Sequence, residues 1–524
     1  MGVFELKSFT GLSDYEDKGI NGAFKFGSNL DVRKAIDSLS CNQDLVDEGV
    51  LDSRSPSLSV SPSATPSESP SLSASLSSSV TPSPSASVSP SASVSSSPSV
   101  TESSSLSPSP SPSGGLTTVF EDLIRFFVQC TDGYTYGFGN TGCIYRRDSS
   151  SYWQRVYKDS DGAIKGAEEL PSDTGVTYLV WATDTKVKKK KIPGQSDWND
   201  VEIVGQNLTS SDWHTMKQVG GAVYISNGPY LAMVGYDGSY TNEALDLIPG
   251  NIARTIVERN GRAIIGTARA SDLTRGVNGA IDAEVPLAQV GDGEIYFADG
   301  NSSIPVKSFP GGGKVNPGGV CNKINQVNFF EWEQTALSWI DKQTVGNLAL
   351  FAVYDADAGT GGIYSYGRLN KNKPFVMNLD YQLDADELGA ITDVEGTTLV
   401  SYQDGTDFGV KATDPDNKAT AIYESLDLKS PVKKPANISG WKYVEVFCNP
   451  LVLHTSINCW YRVNKSGDWV RAYMENGSAA FESEREKKGV FLIGAEGEIF
   501  EVRIGLNPYI NTSPSVYRIR IYFD

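Results

Sequence analysis

Short apolar runs broken by glycine turns recur along most of the chain, and this repetition constrains the fold more than any other feature. Asp132-Gly133-Tyr134-Thr135-Tyr136-Gly137-Phe138-Gly139-Asn140-Thr141-Gly142-Cys143-Ile144-Tyr145 reads as strand, glycine turn and strand. Asp292-Gly293-Glu294-Ile295-Tyr296 repeats its opening, and Gly362-Ile363-Tyr364-Ser365-Tyr366-Gly367 varies it. Comparable strand starts lie near Thr177, Gly221, Arg262 and Gly396. No stretch sustains the apolar period of an amphipathic helix. The spacing is irregular but close to the roughly 40–50 residues of a four-stranded propeller blade. The segment from Leu123 to Leu428 then allows about six or seven blades. The expected class is all-β, with a β-propeller-like body. Tyr157, Trp181, Trp198, Trp213, Tyr236, Trp332 and Trp339 are expected to pack between blades.

Composition divides the chain into four parts. Residues 53–116 are almost entirely Ser, Pro, Ala, Val and Thr. Frequent proline forbids helix and central strand, and such small side chains cannot offset ordering entropy, so this part reads as a disordered linker. Residues 1–52 precede it as a short anchoring segment. Its aromatic residues Phe4, Phe9, Tyr15, Phe24 and Phe26 are too many for so little chain to bury alone. Docking on a partner surface is expected, with a fold-back onto the same chain as the competing possibility. Residues 117–430 form the propeller, which ends at Ser430-Pro431-Val432-Lys433-Lys434-Pro435. Residues 431–524 alternate as antiparallel strands, from Trp441–Cys448 to Val516–Phe523, and read as a small β-sandwich.

Charge and rare residues narrow the function. The 524 residues carry a net charge of −18 and a pI near 4.7, which disfavours sequence-independent attraction to nucleic acid. Two histidines, His214 and His454, are few for acid–base or metal chemistry on this scale. The six cysteines show no C-x-x-C spacing, and mostly unpaired thiols are expected, Cys448 and Cys459 being the pair best placed for an exception. No apolar run reaches the ~18 residues that a membrane helix needs. The N-terminus lacks a basic region followed by an apolar core, so export through a signal peptide is not expected.

Several motifs have tempting readings. Gly137-Phe138-Gly139-Asn140-Thr141-Gly142 matches the dinucleotide fingerprint, but a strand rather than a helix follows, so a hairpin turn is expected. Asp159-Ser160-Asp161-Gly162, Asp355–Gly359 and Asp414–Asn417 lack the flanking helices and distal Glu of calcium loops, and ordinary Asp turn chemistry is expected. The basic run Lys186–Lys191 reads as a solvated edge hairpin. Ser211, Asp212 and His214 sit too close along one strand to form a triad. No carboxylate pair is marked as catalytic, and no metal or cofactor is expected.

Two strings carry a resemblance. Phe9-Thr10-Gly11-Leu12-Ser13-Asp14-Tyr15 through Gly19-Ile20-Asn21-Gly22-Ala23-Phe24-Lys25-Phe26-Gly27, together with Gly235–Leu245, resemble structural proteins of tailed bacteriophages. Those proteins similarly join a short N-terminal segment, often a Ser/Pro spacer, a propeller-like body and a small β-domain. The resemblance implies a non-enzymatic virion protein, as a tail nozzle, fibre or particle-surface component. Its implied partners are other virion proteins near the tail or portal, further copies of itself and a host surface glycan, with no nucleic acid and no membrane insertion. A secreted cell-surface adhesin and a propeller that binds or hydrolyses glycans are the alternatives.

Overall fold

The computed structural model describes residues 2–7, 11–12, 23–32, 38–51 and 120–524. Within the last span, residues 172–174, 193–197, 212–213, 248–250, 260–261, 270–293, 299–302, 309–312, 325–346, 355–358, 368–375 and 430–437 are not described. The expected linker, 53–116, lies outside the described residues.

The middle strands of the body are rich in β-branched and aromatic residues and are buried on both faces. In Thr177–Ala182, Leu179, Val180, Trp181 and Ala182 are all buried. Only a neighbour on each side of the sheet can achieve this, and successive sheets supply those neighbours. Blade 1 is the meander Ile124–Gln129, Thr135–Gly139, Cys143–Arg147 and Trp153–Lys158. Blade 2 comprises Gly166–Pro171, Thr177–Ala182, Lys186–Ile192 and Glu202–Gln206. Blade 3 comprises Met216–Val219, Ala222–Asn227, Tyr230–Gly235 and Tyr240–Asp246. Two separate hairpins follow in sequence, Asn251–Arg259 with Arg262–Arg269, whose Ala253 and Ile256 pack on Leu231 of blade 3, and Glu294–Ala298 with Ser303–Ser308. Blade 5 runs from Lys314–Ile324 through Asn347–Tyr354 and Gly362–Gly367 to Val376–Gln382. Blade 6 is built from Glu387–Val394, Thr397–Asp404 and Asp407–Lys418.

Separate apolar cores fill the spaces between these sheets. Phe138 and Ile144 of blade 1 meet Leu179 and Trp181 of blade 2, and Val180 and Val187 of blade 2 meet Val223 and Val234 of blade 3. Leu399 and Val410 of blade 6 meet Ile124 and Trp153 of blade 1, while Ile363 of blade 5 meets Val400 of blade 6. The first strands of neighbouring blades converge closely. A Cβ on Gly166 would collide with the His214 carbonyl, and one on Gly389 with the Ile124 carbonyl. Radial repetition of this kind is a β-propeller, closed from blade 6 to blade 1.

The C-terminal part is a β-sandwich. One sheet is ordered Gly2–Leu6, Val516–Phe523, Ser439–Cys448, Lys488–Gly497 and Tyr473–Met474. The other is ordered Val470–Arg471, Ser456–Val463, Ile499–Asn507, Ala421–Glu424 and Phe26–Ser28. Alternation does this: Ile457, Cys459, Phe500, Val502, Ile504 and Leu506 face Trp441, Val444, Val446, Ile519 and Ile521 across the core. Trp441 stacks on Phe500 at 4.7 Å. Ala421–Glu424 and Leu428–Lys429 already belong to the second sheet, so the sandwich begins before the proline-flanked boundary at 430.

The N-terminal segment is distributed over the whole unit rather than forming a module. Gly2–Leu6 and Phe26–Ser28 are edge strands of the two sandwich sheets. Gly11–Leu12 and Ala23–Phe24 extend blade 5, Gln43–Asp47 is the fourth strand of blade 6, and Val50–Leu51 adds to blade 1. Residues Met1–Ser53 and Thr117–Asp524 accordingly form one compact unit. The fold-back possibility is the one realised.

The expectation of an anchor tethered to a separate body is therefore corrected. Val50 pairs with Trp153, and the Phe120 ring lies 6.2 Å from the Trp153 ring. Val50 and Phe120, described residues on either side of the Ser/Pro segment, thus both lie beside Trp153. Cys41, Cys130, Cys143, Cys448 and Cys459 are free thiols, and Cys448 and Cys459 lie in opposite sheets. Burial pushes the Cys41 and Cys448 thiols up to about 11.

Candidate binding face

The outer face of the second sandwich sheet gathers aromatic and charged side chains by strand alternation. Because Ile457, Cys459 and Tyr461 turn inward, Asn458, Trp460 and Arg462 turn outward. On the neighbouring strand Glu501, Arg503 and Gly505 share that face, opposite Phe500, Val502 and Ile504. Trp460 lies over Gly505, where a Cβ would meet the indole at 2.8 Å, so glycine lets the ring rest on the sheet. Arg471 sits directly across from Trp460 in the edge strand, with its guanidinium carbon 5.4 Å from the ring. Trp469, two residues earlier, lies 4.7 Å from the guanidinium of Arg462 and 4.4 Å from that of Arg503.

Ion pairs fix the layer beneath the indoles. Glu501, whose side chain is 1% exposed, accepts from Arg462 Nε and Nη2 at 2.7 and 3.0 Å and from Lys25 at 2.8 Å. Burial alone would raise its pKa, but the hydrogen bonds from Arg462 and Lys25 outweigh it and hold the carboxyl at about 2. Arg503 pairs with Glu424 at 2.7 Å, and Lys25 and Lys465 reach Asp427. The indole nitrogens separate this face from the interior. Trp153, Trp181 and Trp441 donate to Glu48 at 2.6 Å, Asp159 at 2.8 Å and the Gly497 carbonyl at 3.1 Å. Trp460 and Trp469 are half-buried and donate to no protein acceptor among the described residues. A face of this kind can stack a flat apolar group and offer it donors.

None of these residues stood out at the level of sequence. The alternation of Ile457-Asn458-Cys459-Trp460-Tyr461-Arg462-Val463 was the available signal, since it puts an aromatic and a cation on the side away from the apolar residues. Conversely, three of the five aromatic residues singled out in the N-terminal segment are spent inside the chain. Phe24 is fully buried against Tyr423 at 5.4 Å, Phe4 lies 6.1 Å from Trp441 and 5.1 Å from Phe523, and Phe26 packs on the sandwich core. These three are not available to a partner, because the sandwich sheets present the apolar edges that cover them. Phe9 and Tyr15 lie outside the described residues.

The other motifs resolve as follows. The glycine string at 137–142 is the hairpin between two strands of blade 1, with Gly142 at a φ of 93°. The lysine run is no solvated edge: Lys186–Ile192 is an interior strand of blade 2, and Lys188 and Lys190 are buried. Lys188 pairs with Asp159 at 2.5 Å and Asp161 at 2.6 Å, and Lys190 with Asp200 at 2.5 Å. Burial opposes the Lys188 charge, but its two aspartates more than restore it and its pKa is raised. Carboxylates from the Asp159–Gly162 turn thus make a basic strand buriable. Asp414–Asn417 is not a turn between strands but an irregularity inside the strand Asp407–Lys418, where the register shifts and Asp414 accepts from the Asp416 amide at 2.8 Å and from Asn417 at 2.7 Å. The Asp355 motif lies mostly outside the described residues, as do Asp212, Trp213, Trp332 and Trp339. His214 is buried between the Ser226 and Asp184 carbonyls, at 2.8 and 2.9 Å. Tyr157, Trp181 and Trp198 pack between blades 1 and 2, whereas Tyr236 is 47% exposed.

No family model matches the chain, and no curated protein sequence does. Among solved structures it is similar to a streptogramin B lyase (12% identity, 58% of this chain and 96% of that one, TM-score 0.36). An aldose sugar dehydrogenase of Streptomyces coelicolor follows at 10% identity, 56% and 95% coverage and a TM-score of 0.33. An auxiliary nutrient binding protein of Bacteroides ovatus matches at 11% identity, 57% and 70% coverage and a TM-score of 0.35. At these identities and scores the likenesses transfer no activity.

Proposed function

We propose that the chain is a non-catalytic structural and binding component of a tailed-phage particle, and that its sandwich presents the Trp460–Trp469 face to a host surface glycan. One observation carries the binding reading: two half-buried indoles, whose N–H groups meet no protein acceptor among the described residues, lie on a sheet face where Arg462 and Arg503 are already matched by Glu501 and Glu424. A pyranose has an apolar face of C–H groups and a rim of hydroxyls, which suits a flat indole with a donor at its edge. Tryptophan and arginine also dominate the energetics of protein recognition surfaces. Placement in a virion is supported by the likeness of Phe9–Gly27 and Gly235–Leu245 to phage structural proteins. The acidic groups of the body also have packing duties: Asp122 holds Thr141 and Tyr145, Asp159 holds Lys188 and Trp181, and Glu48 holds Arg147 and Trp153.

Two measurements test the reading. Mass spectrometry of purified particles of the phage that encodes the chain should find the protein. Purified full-length protein should bind host cells, and Trp460→Ala and Trp469→Ala should each weaken that binding about tenfold or more with unchanged melting. Absence from particles would remove the virion assignment, and undiminished binding by both variants would remove the face.

A further inference from the structure

We infer that the Trp460 face selects a carboxylate-bearing sugar, of the uronic or sialic acid kind, with Arg471 taking the carboxylate beside a ring stacked on Trp460. This rests on the glycan-binding reading and narrows it to one ligand class.

One cation on the face meets no carboxylate among the described residues. Arg462 is forked onto Glu501, Arg503 onto Glu424, and Lys25 divides itself between Glu501 and Asp427. Arg471 has no such partner. It is exposed on the edge strand, its one hydrogen bond runs 3.5 Å to the Ala479 carbonyl, and no carboxylate pairs with it among the described residues. Register places it directly opposite Trp460, on the same face, with the guanidinium 5.4 Å from the ring centroid. The guanidinium lies over the indole, offset from its centre, so a sugar packed on that ring would lie beside a planar, permanently charged fork. A guanidinium binds a carboxylate through two parallel N–H···O bonds, whereas a neutral hydroxyl uses only part of the fork. The whole chain is acidic, at −18, so an anion gains nothing from the long-range field. Any preference for acidic sugars must therefore come from local excess charge such as this one. A short-range ion pair at an exposed site weakens with salt.

Titration calorimetry of the full chain tests this with hexagalacturonate and hexasialic acid, the methyl esters of both, and cellohexaose. The esters keep the rings and remove the charge. At least one acidic oligomer should bind, at least tenfold more tightly than its ester, and more weakly in 0.5 M salt (a roughly threefold shorter screening length than in 0.05 M). Arg471→Gln should abolish the difference between acid and ester, and Arg471→Lys should restore part of it. Equal binding of acid and ester, lost only on Trp460→Ala, overturns the carboxylate inference and leaves the glycan reading standing. An acid preference that survives Arg471→Gln overturns the role of Arg471. Binding of none of the five oligomers by a protein with an intact melting transition overturns the inference and counts against the glycan reading as well.

Discussion

Glu501 shows how one residue can hold a surface layer together. It is fully buried at its carboxylate, yet three donors from Arg462 and Lys25 keep it ionised. Its folded pKa, about 2, lies below the ordinary value of 4.5. The contribution is therefore fully present above about pH 4.5 and is lost as pH falls from there through about 2. Glu501→Gln should destabilise the protein by about 3 kcal/mol at pH 7, because it leaves Arg462 and Lys25 facing a neutral amide. The same variant should lose less further stability than the parent between pH 4.5 and 2.5. Denaturant unfolding at the two pH values checks both, and parallel acid sensitivity of parent and variant would show that Glu501 is not the group being titrated. The sequence could not reveal this arrangement, since Lys25 comes from the other end of the chain.

At the scale of elements, local pattern and long-range pairing differ in how far they can be read. The alternation of Val516–Phe523 and the turn glycines of blade 1 follow directly from sequence, because period-two burial and a positive φ leave local marks. The destinations of the N-terminal strands do not. Gln43-Asp44-Leu45-Val46-Asp47 has too little apolar content to announce a strand, but it needs little: it is the outer strand of blade 6, against Asp407–Lys418. The lysine run misleads for a related reason. Its aspartate partners sit in two separate turns, around Asp159–Asp161 and at Asp200, so composition alone implies solvent. Glu48 is the clearest element-scale junction. It accepts from Arg147 Nε at 2.8 and 3.0 Å and from the Trp153 indole at 2.6 Å, just as the chain passes from blade 6 to blade 1. Its side chain is 4% exposed. Glu48→Ala strands the Arg147 guanidinium and should cost about 3 kcal/mol. Glu48→Gln, which still accepts from Trp153, should cost less. Equal stability of all three proteins would mean that this crossing point does not help to close the ring.

For the whole molecule, the path of residues 2–51 changes what the Ser/Pro segment can do. A tether joins two bodies, but here both flanks belong to one compact unit and meet at Trp153. Length changes in such an insertion should be nearly silent, since each doubling or halving of a loop alters its closure free energy by only about 0.6 kcal/mol. Cutting it should also be silent as long as the N-terminal piece stays paired. That piece supplies edge strands to both sandwich sheets and the fourth strand of blade 6, and buries Phe24, Leu30 and Leu39 completely. Removing even one such Phe typically costs about 3–5 kcal/mol, so the piece as a whole cannot be dispensable. Protease nicking between 54 and 116 should therefore yield two fragments that co-elute in gel filtration and separate only in denaturant. Residues 117–524 expressed alone should aggregate, because the uncovered sheet edges and apolar sites are exposed, and co-expression with residues 1–53 should restore soluble protein. A stable, monomeric 117–524 fragment with the parent's melting temperature would show that the N-terminal strands are an accessory, and would return the Ser/Pro segment to the role of a tether.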